Sequence, residues 1–241
     1  MAENIIVQFP QIGEVHFKMN ATVKYLRISL KAFDGVRVTV PKGTSTKDAM
    51  AFVETKKDWI LQAKLRIESQ EKRYTIFTPD TVFRTQNRQL ILLPWKSGQF
   101  RAQISKDALK IFYPQEADLQ TQQAQKIIRE YIIETIRKEA NEYLPLRTEQ
   151  LAAEHGFMFH GVTVKNIKSR WGSCSATNHI NLNMHLMRLP QYLSDYVILH
   201  ELTHTVQKNH GKPFWQSLNR ITGGKARRLA ADMRKYNAVR F

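Results

Sequence analysis

The run His200-Glu201-Leu202-Thr203-His204, followed by His210, holds the side chains best suited to chemistry in this chain. Positions i and i+4 of a helix lie one above the other, so His200 and His204 can close on a single cation. Glu201 falls at the edge of that face, where its carboxylate reaches a water beside the ion more readily than the ion itself. His-Glu-x-x-His on a helix therefore reads as two metal ligands and one general base. With His210 as a third imidazole and a fourth position left open, the donor set suits one Zn2+ per chain, which can bring a water to a pKa of roughly 7. Other divalent transition metals (manganese, nickel or cobalt) accept the same donors. The expected chemistry is metal-dependent hydrolysis.

The stretch Thr-Val-Gln-Lys-Asn separates His204 from His210, too long for another turn on the ligand face. The helix must end and the chain double back, and Asn209, tolerant of left-handed backbone, is the expected point of reversal. Gly211-Lys212-Pro213-Phe214-Trp215 then opens a new helix, with Pro213 near its first turn and Phe214, Trp215, Leu218 and Ile221 at helical spacing. His210 would sit pinned between two packed helices. A surface helix carrying His and Glu needs no metal, but Leu193, Tyr196, Val197, Ile198 and Leu202 place this one inside the protein. There an ionised Glu201 is costly without a cationic partner. His155, His160, His179 and His185 fall outside this spacing and are expected in turns, on the surface or hydrogen-bonded in the core.

The elements that must position these residues follow from pattern. Residues 1–105 read as a mostly β region that holds substrate or supports the rest. Its expected strands are Val23 to Leu30, Val36 to Pro41 after the Asp34-Gly35 turn, Thr75 to Phe77, and Leu90 to Leu93. Its expected helix starts at Ser45 or Thr46 and carries Phe52, Trp59, Ile60 and Ala63. Residues 106–241 read as the metallohydrolase domain. A long helix covers about 118–142 and ends at Pro145, and a second, near 148–155, stops at Gly156. Strands at Val162 to Val164, Arg170 to Ser173 and Ile180 to Asn183 follow, and Pro190 precedes the metal helix. The fold class is α+β.

At 241 residues, 42% of them hydrophobic and 24% charged, the chain has the composition of an ordinary soluble protein of one or two domains. No stretch approaches the roughly 18 to 20 apolar residues of a membrane span. The segment from Met1 to Gln8 lacks a basic leader and a cleavable apolar core, so no secretion signal is read. A single cysteine, Cys174, excludes an internal disulfide framework and fits a reducing cytoplasm. It is expected to be structural.

The net charge of +16 is unevenly spread: from Lys208 onward nine Lys or Arg face one acid, Asp232. Such an end attracts polyanions, a nucleotide or an acidic peptide among them. Alternatively it is the solvated face of an amphipathic helix, since Arg227 and Arg228 accompany Leu229 and Met233. No zinc-finger spacing, phosphate-cradling glycine loop or aromatic-interleaved nucleic-acid motif is present, so nucleic acid is not the expected partner.

Several separated motifs resemble the YgjP-like metallopeptidase family. They are Lys168-Ser169-Arg170-Trp171-Gly172-Ser173-Cys174-Ser175, Ile180-Asn181-Leu182-Asn183, Pro190, Tyr196 to His204, and His210 with Phe214-Trp215. Arg27-Ile28-Ser29-Leu30, Val36 to Pro41 and Trp59-Ile60 are similar as well, so the resemblance spans roughly residues 20–220. It implies a zincin-like catalytic domain near the SprT-like proteases, with His200, His204 and His210 as ligands and Glu201 as catalytic base. Gly211 departs from the small hydroxyl residue expected there, which weakens the cap of the following helix. The metzincin pattern fits less well, because its turn glycine would fall at Gln207.

If the target is a peptide or unfolded protein, the strand containing Trp171 to Ser173 can offer its edge to an extended substrate. Gly172 would permit close approach. Arg170 orients a substrate carboxylate or phosphate, or anchors the metal helix through an acid. Trp171 is core or cleft wall. Asn183 completes a hydrogen-bond network under the site or caps the sheet edge. Two other readings stay open: a metal-dependent hydrolase of a nucleotide phosphoanhydride, and a DNA-associated binding module with a structural zinc site.

Overall fold

The computed structural model describes residues 4–71 and 74–236. Arg240 of the basic end, and Met1 to Glu3 of the N-terminal segment expected to carry no secretion signal, lie outside the described residues. The chain divides into two compact units, residues 1–75 with 121–126, and residues 76–120 with 127–241.

The first unit is built on strands β1 (Asn4–Phe9), β2 (Gly13–Asn20), β3 (Arg27–Lys31) and β4 (Gly35–Pro41) in the order β1-β2-β4-β3. β2 and β4 run parallel and the outer pairs antiparallel. Strict alternation in β4 buries Val36, Val38 and Val40 against Val15 and Phe17 of β2. The Asp34-Gly35 turn forms as expected, with Gly35 at φ 68°. The helix expected after Ser45 is two helices, α1 (Thr46–Thr55) and α2 (Lys57–Glu71), separated at Lys56. Ser45 caps α1 by accepting from the Asp48 N–H, and Val53 and Ile60 bury on the two sides of the break.

In the second unit, β5 (Gln89–Trp95), β6 (Arg101–Ile104) and β7 (Ala108–Pro114) form a sheet ordered β5-β7-β6. The division read at 105/106 falls between β6 and β7, which pair with each other. Residues Thr75 to Phe77 are not a strand. Phe77 is fully buried instead, edge-on to Phe83 and beneath the Arg129 guanidinium, so its apolar signal came from anchoring a loop.

Helix α3 (Gln122–His155) runs 34 residues straight through Pro145, correcting the two helices expected there. Proline at this position removes one bond to the carbonyl of Asn141, and Asn141 is exposed, so water can satisfy that oxygen. The helix begins late because Thr121 accepts from the Ala124 N–H. It ends at Gly156 as expected, with φ 72° and a bond from the Phe157 N–H to the Ala152 carbonyl.

Then come β8 (Gly161–Lys165), β9 (Gly172–Cys174) and β10 (His179–Asn183) in the order β8-β10-β9. A 3-10 turn (Met184–Arg188) leads to helices α4 (Gln191–Thr203), α5 (Lys212–Ile221) and α6 (Ala226–Met233). The fold is α+β with a zincin-like catalytic part. Among the described residues no helix is long and apolar enough to cross a membrane.

Burial of His185 beside Arg188 pushes its imidazole down to about 4. The folded state therefore binds fewer protons than the unfolded one between pH 4 and 6.5. Stability from this group is fully present above about pH 6.5 and is lost as pH falls toward 4, on the order of 3 kcal/mol in all. Unfolding free energies of wild type and His185→Gln, measured along this range, are expected to converge on acidification. Parallel curves would refute the assignment.

Candidate metal centre

Helix α4 presents its His-Glu-x-x-His face from a buried position. Leu193, Tyr196, Val197, Ile198, Leu199 and Leu202 are all core residues, which fixes the helix on every side. A bidentate pair from Arg147 on α3 to Asp195, with both contacts at 2.8 Å, holds it along its length. Gln86 adds a bond of 2.7 Å to the Ser194 hydroxyl.

The helix ends at Thr203, and His204 is its C-cap in helical conformation, so the i, i+4 register with His200 survives to the last residue. The reversal expected at Asn209 takes place earlier. Gln207 N–H bonds back to the Thr203 carbonyl at 2.9 Å, and Asn209 has no positive φ. Lys208 donates across to the Ser175 carbonyl at 3.1 Å and to Asn178 Oδ1, fastening the turn to the β9–β10 hairpin.

This turn brings the three imidazoles together. His210 Nε2 lies 3.0 Å from His200 Nε2 and 3.1 Å from His204 Nε2, and the ligand atoms of the trio all lie within 4.8 Å of one another. A tetrahedral zinc with Zn–N bonds of 2.0–2.1 Å sets its nitrogens about 3.4 Å apart, so the two contacts through His210 lie a few tenths of an ångström inside that spacing and the trio is close enough to share one ion. The proton inventory agrees. The Gln207 carbonyl, 2.9 Å from His204 Nδ1, can only accept, so Nδ1 carries the proton and a neutral His204 turns a lone pair to the centre. One N–H on His210 aligns well with one neighbour, leaving the second contact without a proton; a cation satisfies both. Burial and the neighbouring imidazoles push His200 down to about 3, and burial foremost lowers His204, so both are neutral donors at pH 7.

Phe214 is the residue whose part in the site the spacing did not disclose. Its ring, fully buried, lies 4.8, 4.5 and 4.7 Å from those of His200, His204 and His210, forming an apolar floor beneath all three. Its signal was present as the first apolar residue after Pro213, but the helical pattern explained it as core. Gly211 is the N-cap of α5 and makes no side-chain cap bond, as expected from the missing hydroxyl.

Glu201 is only 6% exposed, and burial pushes its carboxyl up to about 7, with the Arg170 guanidinium opposing the rise. A cation on the triad would pull it back down. Gly172 is pressed against it: a Cβ there would stand 2.7 Å from Glu201 Cγ and 2.8 Å from Oε1. Gly172 was expected to admit a substrate backbone; the group that packs against it in the structure is Glu201.

The remaining residues fall around this pair. β9 is an edge strand bonded to β10 on one side, with Ser173 opposite Asn181. Arg170 is exposed in the loop leading into β9, and its charge acts on Glu201 of α4 without an ion-pair contact within 4.0 Å among the described residues. Trp171 is half-buried. Asn183 is fully buried and works beneath the loop rather than as an edge cap. Its Nδ2 donates to the carbonyls of Ile167 and Arg170 at 2.7 and 2.8 Å, and its N–H to the Trp171 carbonyl at 2.9 Å. Cys174 is half-buried, burial raising its thiol pKa despite Lys208. Among the described residues His155, His160, His179 and His185 join no metal-type cluster.

A His-Glu-x-x-His helix whose histidines converge with a third on an α+β frame defines a metallopeptidase-type site. The chain belongs to the YgjP-like family: the model of the YgjP-like metallopeptidase domain matches residues 24–235. That membership makes it a metal-dependent peptidase by class and implies a divalent metal, which the histidine trio could hold. No curated protein matches the chain. Among solved structures, the metallopeptidase zymogen of Pyrococcus abyssi abylysin is similar over 37% of this chain and 90% of its own, at 21% identity and a TM-score of 0.34.

Proposed function

We propose that this protein is a zinc peptidase acting on extended or unfolded polypeptide, with His200, His204 and His210 as ligands and Glu201 as general base. The observation that carries this reading is the convergence of three Nε2 atoms beside a buried carboxyl on the same helix. When bound, zinc supplies Lewis acidity that polarises a carbonyl and brings a water toward a pKa of roughly 7.

The residues of the chain do the rest. Glu201 takes a proton from the attacking water and gives it to the leaving amine. Gly172 leaves room for that carboxyl and fixes where it sits. The open edge of β9 receives an extended peptide as an added strand, main chain to main chain. Arg170, exposed beside the carboxyl, orients a substrate carboxylate, and Trp171 and Ser173 line the approach. Asn183 holds the loop that carries Arg170 and Trp171 in place. Gln207 keeps His204 in the tautomer that turns Nε2 inward. A reducing cytoplasmic setting belongs to this reading, supported by the single cysteine.

Hydrolysis of nucleotides commonly recruits magnesium through clustered carboxylates, whereas the metal-type cluster seen among the described residues is all histidine. Zinc-loaded protein is therefore expected to cleave unfolded polypeptide, to stop when chelated, and to release no phosphate from nucleoside triphosphates. Phosphate release without peptide cleavage would overturn the proposal.

A further inference from the structure

A groove of about 720 Å³ lies between α5 and α6 and opens directly beside the histidine trio, sharing His210 with it. Its walls carry Lys212, Trp215, Gln216, Asn219 and Arg227. Two are cations, and no Asp or Glu lines it. Asp232, the sole acid beyond Lys208, is engaged with Lys235 at 2.7 Å. Among the described residues neither Lys212 nor Arg227 forms an ion pair, and both are exposed.

Arg227 is also held in place. Its guanidinium lies 5.1 Å over the Trp215 ring, and Trp215 in turn packs 5.6 Å from Phe214 and 6.5 Å from His210. Stacking fixes the plane of a guanidinium while leaving its N–H edge free to bind an anion, so little side-chain freedom is lost when one arrives. The start of α5, where Gly211 provides no side-chain cap, adds the positive end of a helix dipole at the same mouth.

We propose that this groove is a subsite for an acidic side chain or terminal carboxylate of the peptide substrate. The inference rests on the peptidase reading for the identity of the ligand as a peptide. An extended chain advances about 3.3 Å per residue, so a carboxylate a few residues from the bond at the metal reaches the guanidinium two ring contacts away. Arg129 also lies over an aromatic ring, that of Phe77, but it is buried; Arg227 combines such a contact with exposure at a cavity.

The test measures binding rather than turnover, on the full chain carrying Glu201→Gln so that no probe is cut. Fluorescein-labelled twelve-residue peptides bearing four Glu, or four Gln at the same places, are titrated at physiological salt, beside a single-stranded DNA oligonucleotide of similar length. The Glu peptide is expected to bind roughly tenfold more tightly than the Gln peptide, as two charge-assisted contacts allow. In K212Q/R227Q that preference should fall to within about twofold, while in K47Q/K56Q, which removes the same charge from α1 and its C-cap, it should persist. Equal binding of the two peptides would overturn the proposal. So would a preference that survives K212Q/R227Q, or use of the two cations by DNA alone. Cleavage by zinc-loaded wild type is scored separately. Charge-selective binding without any cleavage would count against the peptidase reading while leaving the groove's preference for carboxylates standing.

Discussion

Replacing Glu201 by Gln is expected to abolish peptide cleavage, by roughly a thousandfold or more, while leaving the bound metal in place. A thousandfold corresponds to about 4 kcal/mol of barrier, the scale on which removal of a general base and its electrostatic partnership with the transition state acts. The amide keeps the volume of the carboxyl in a site where 6% of the residue is exposed, so the packing against β9 survives. What it removes is the ability to accept and return a proton. Kinetics on an unfolded polypeptide, read beside metal content and thermal stability, separate the two effects. Full metal content with undiminished cleavage would remove Glu201 from the chemistry.

Gly172→Ala is the second large effect. The glycine's φ lies outside the left-handed region, so alanine meets no backbone strain there; the cost comes from one contact. A methyl 2.7 Å from Glu201 Cγ and 2.8 Å from Oε1 cannot be accommodated unless the carboxyl moves, and a buried side chain has few places to go. Displacement of a catalytic group by about 1 Å costs on the order of a hundredfold in rate. Overpacking of this kind costs about 1–3 kcal/mol in stability. The expected result is a fall in kcat of about a hundredfold with the metal retained. In the Glu201→Gln background the same substitution should cost almost nothing further in kcat, because both changes act on one group. Additive losses would mean that Gly172 serves the strand rather than the carboxyl.

The convergence of the three histidines was legible because it is local. A helix and one turn bring His200, His204 and His210 together within eleven residues, and helical periodicity alone aligns the first two. The order of elements around them, long helix, small sheet, metal helix and closing helices, was legible for the same reason. Contacts made across the fold left weaker traces. Nothing in the spacing pairs Gly172 with a glutamate on another element, or turns Asn183 toward the Ile167 and Arg170 carbonyls. Phe214 looked like any apolar helix position, and only the tertiary structure lays it beneath three imidazoles.

The helical readings that failed did so where surroundings overrode propensity. Pro145 is a helix breaker by itself, but its missing bond falls at Asn141, an exposed residue, and α3 continues. Asn209 has the residue type for a left-handed reversal, yet the chain turns already at His204 to Gln207. That earlier turn matters to the site, because it aims the Gln207 carbonyl at His204 Nδ1.

The most direct test of the account is the metal content of the purified chain. After loading with zinc and dialysis, wild type is predicted to hold close to one zinc per chain, bound through three imidazole nitrogens by X-ray absorption, and His200→Ala, His204→Ala and His210→Ala are each predicted to lose it. No stoichiometric transition metal under any loading condition, or full occupancy after removal of His210, would contradict it.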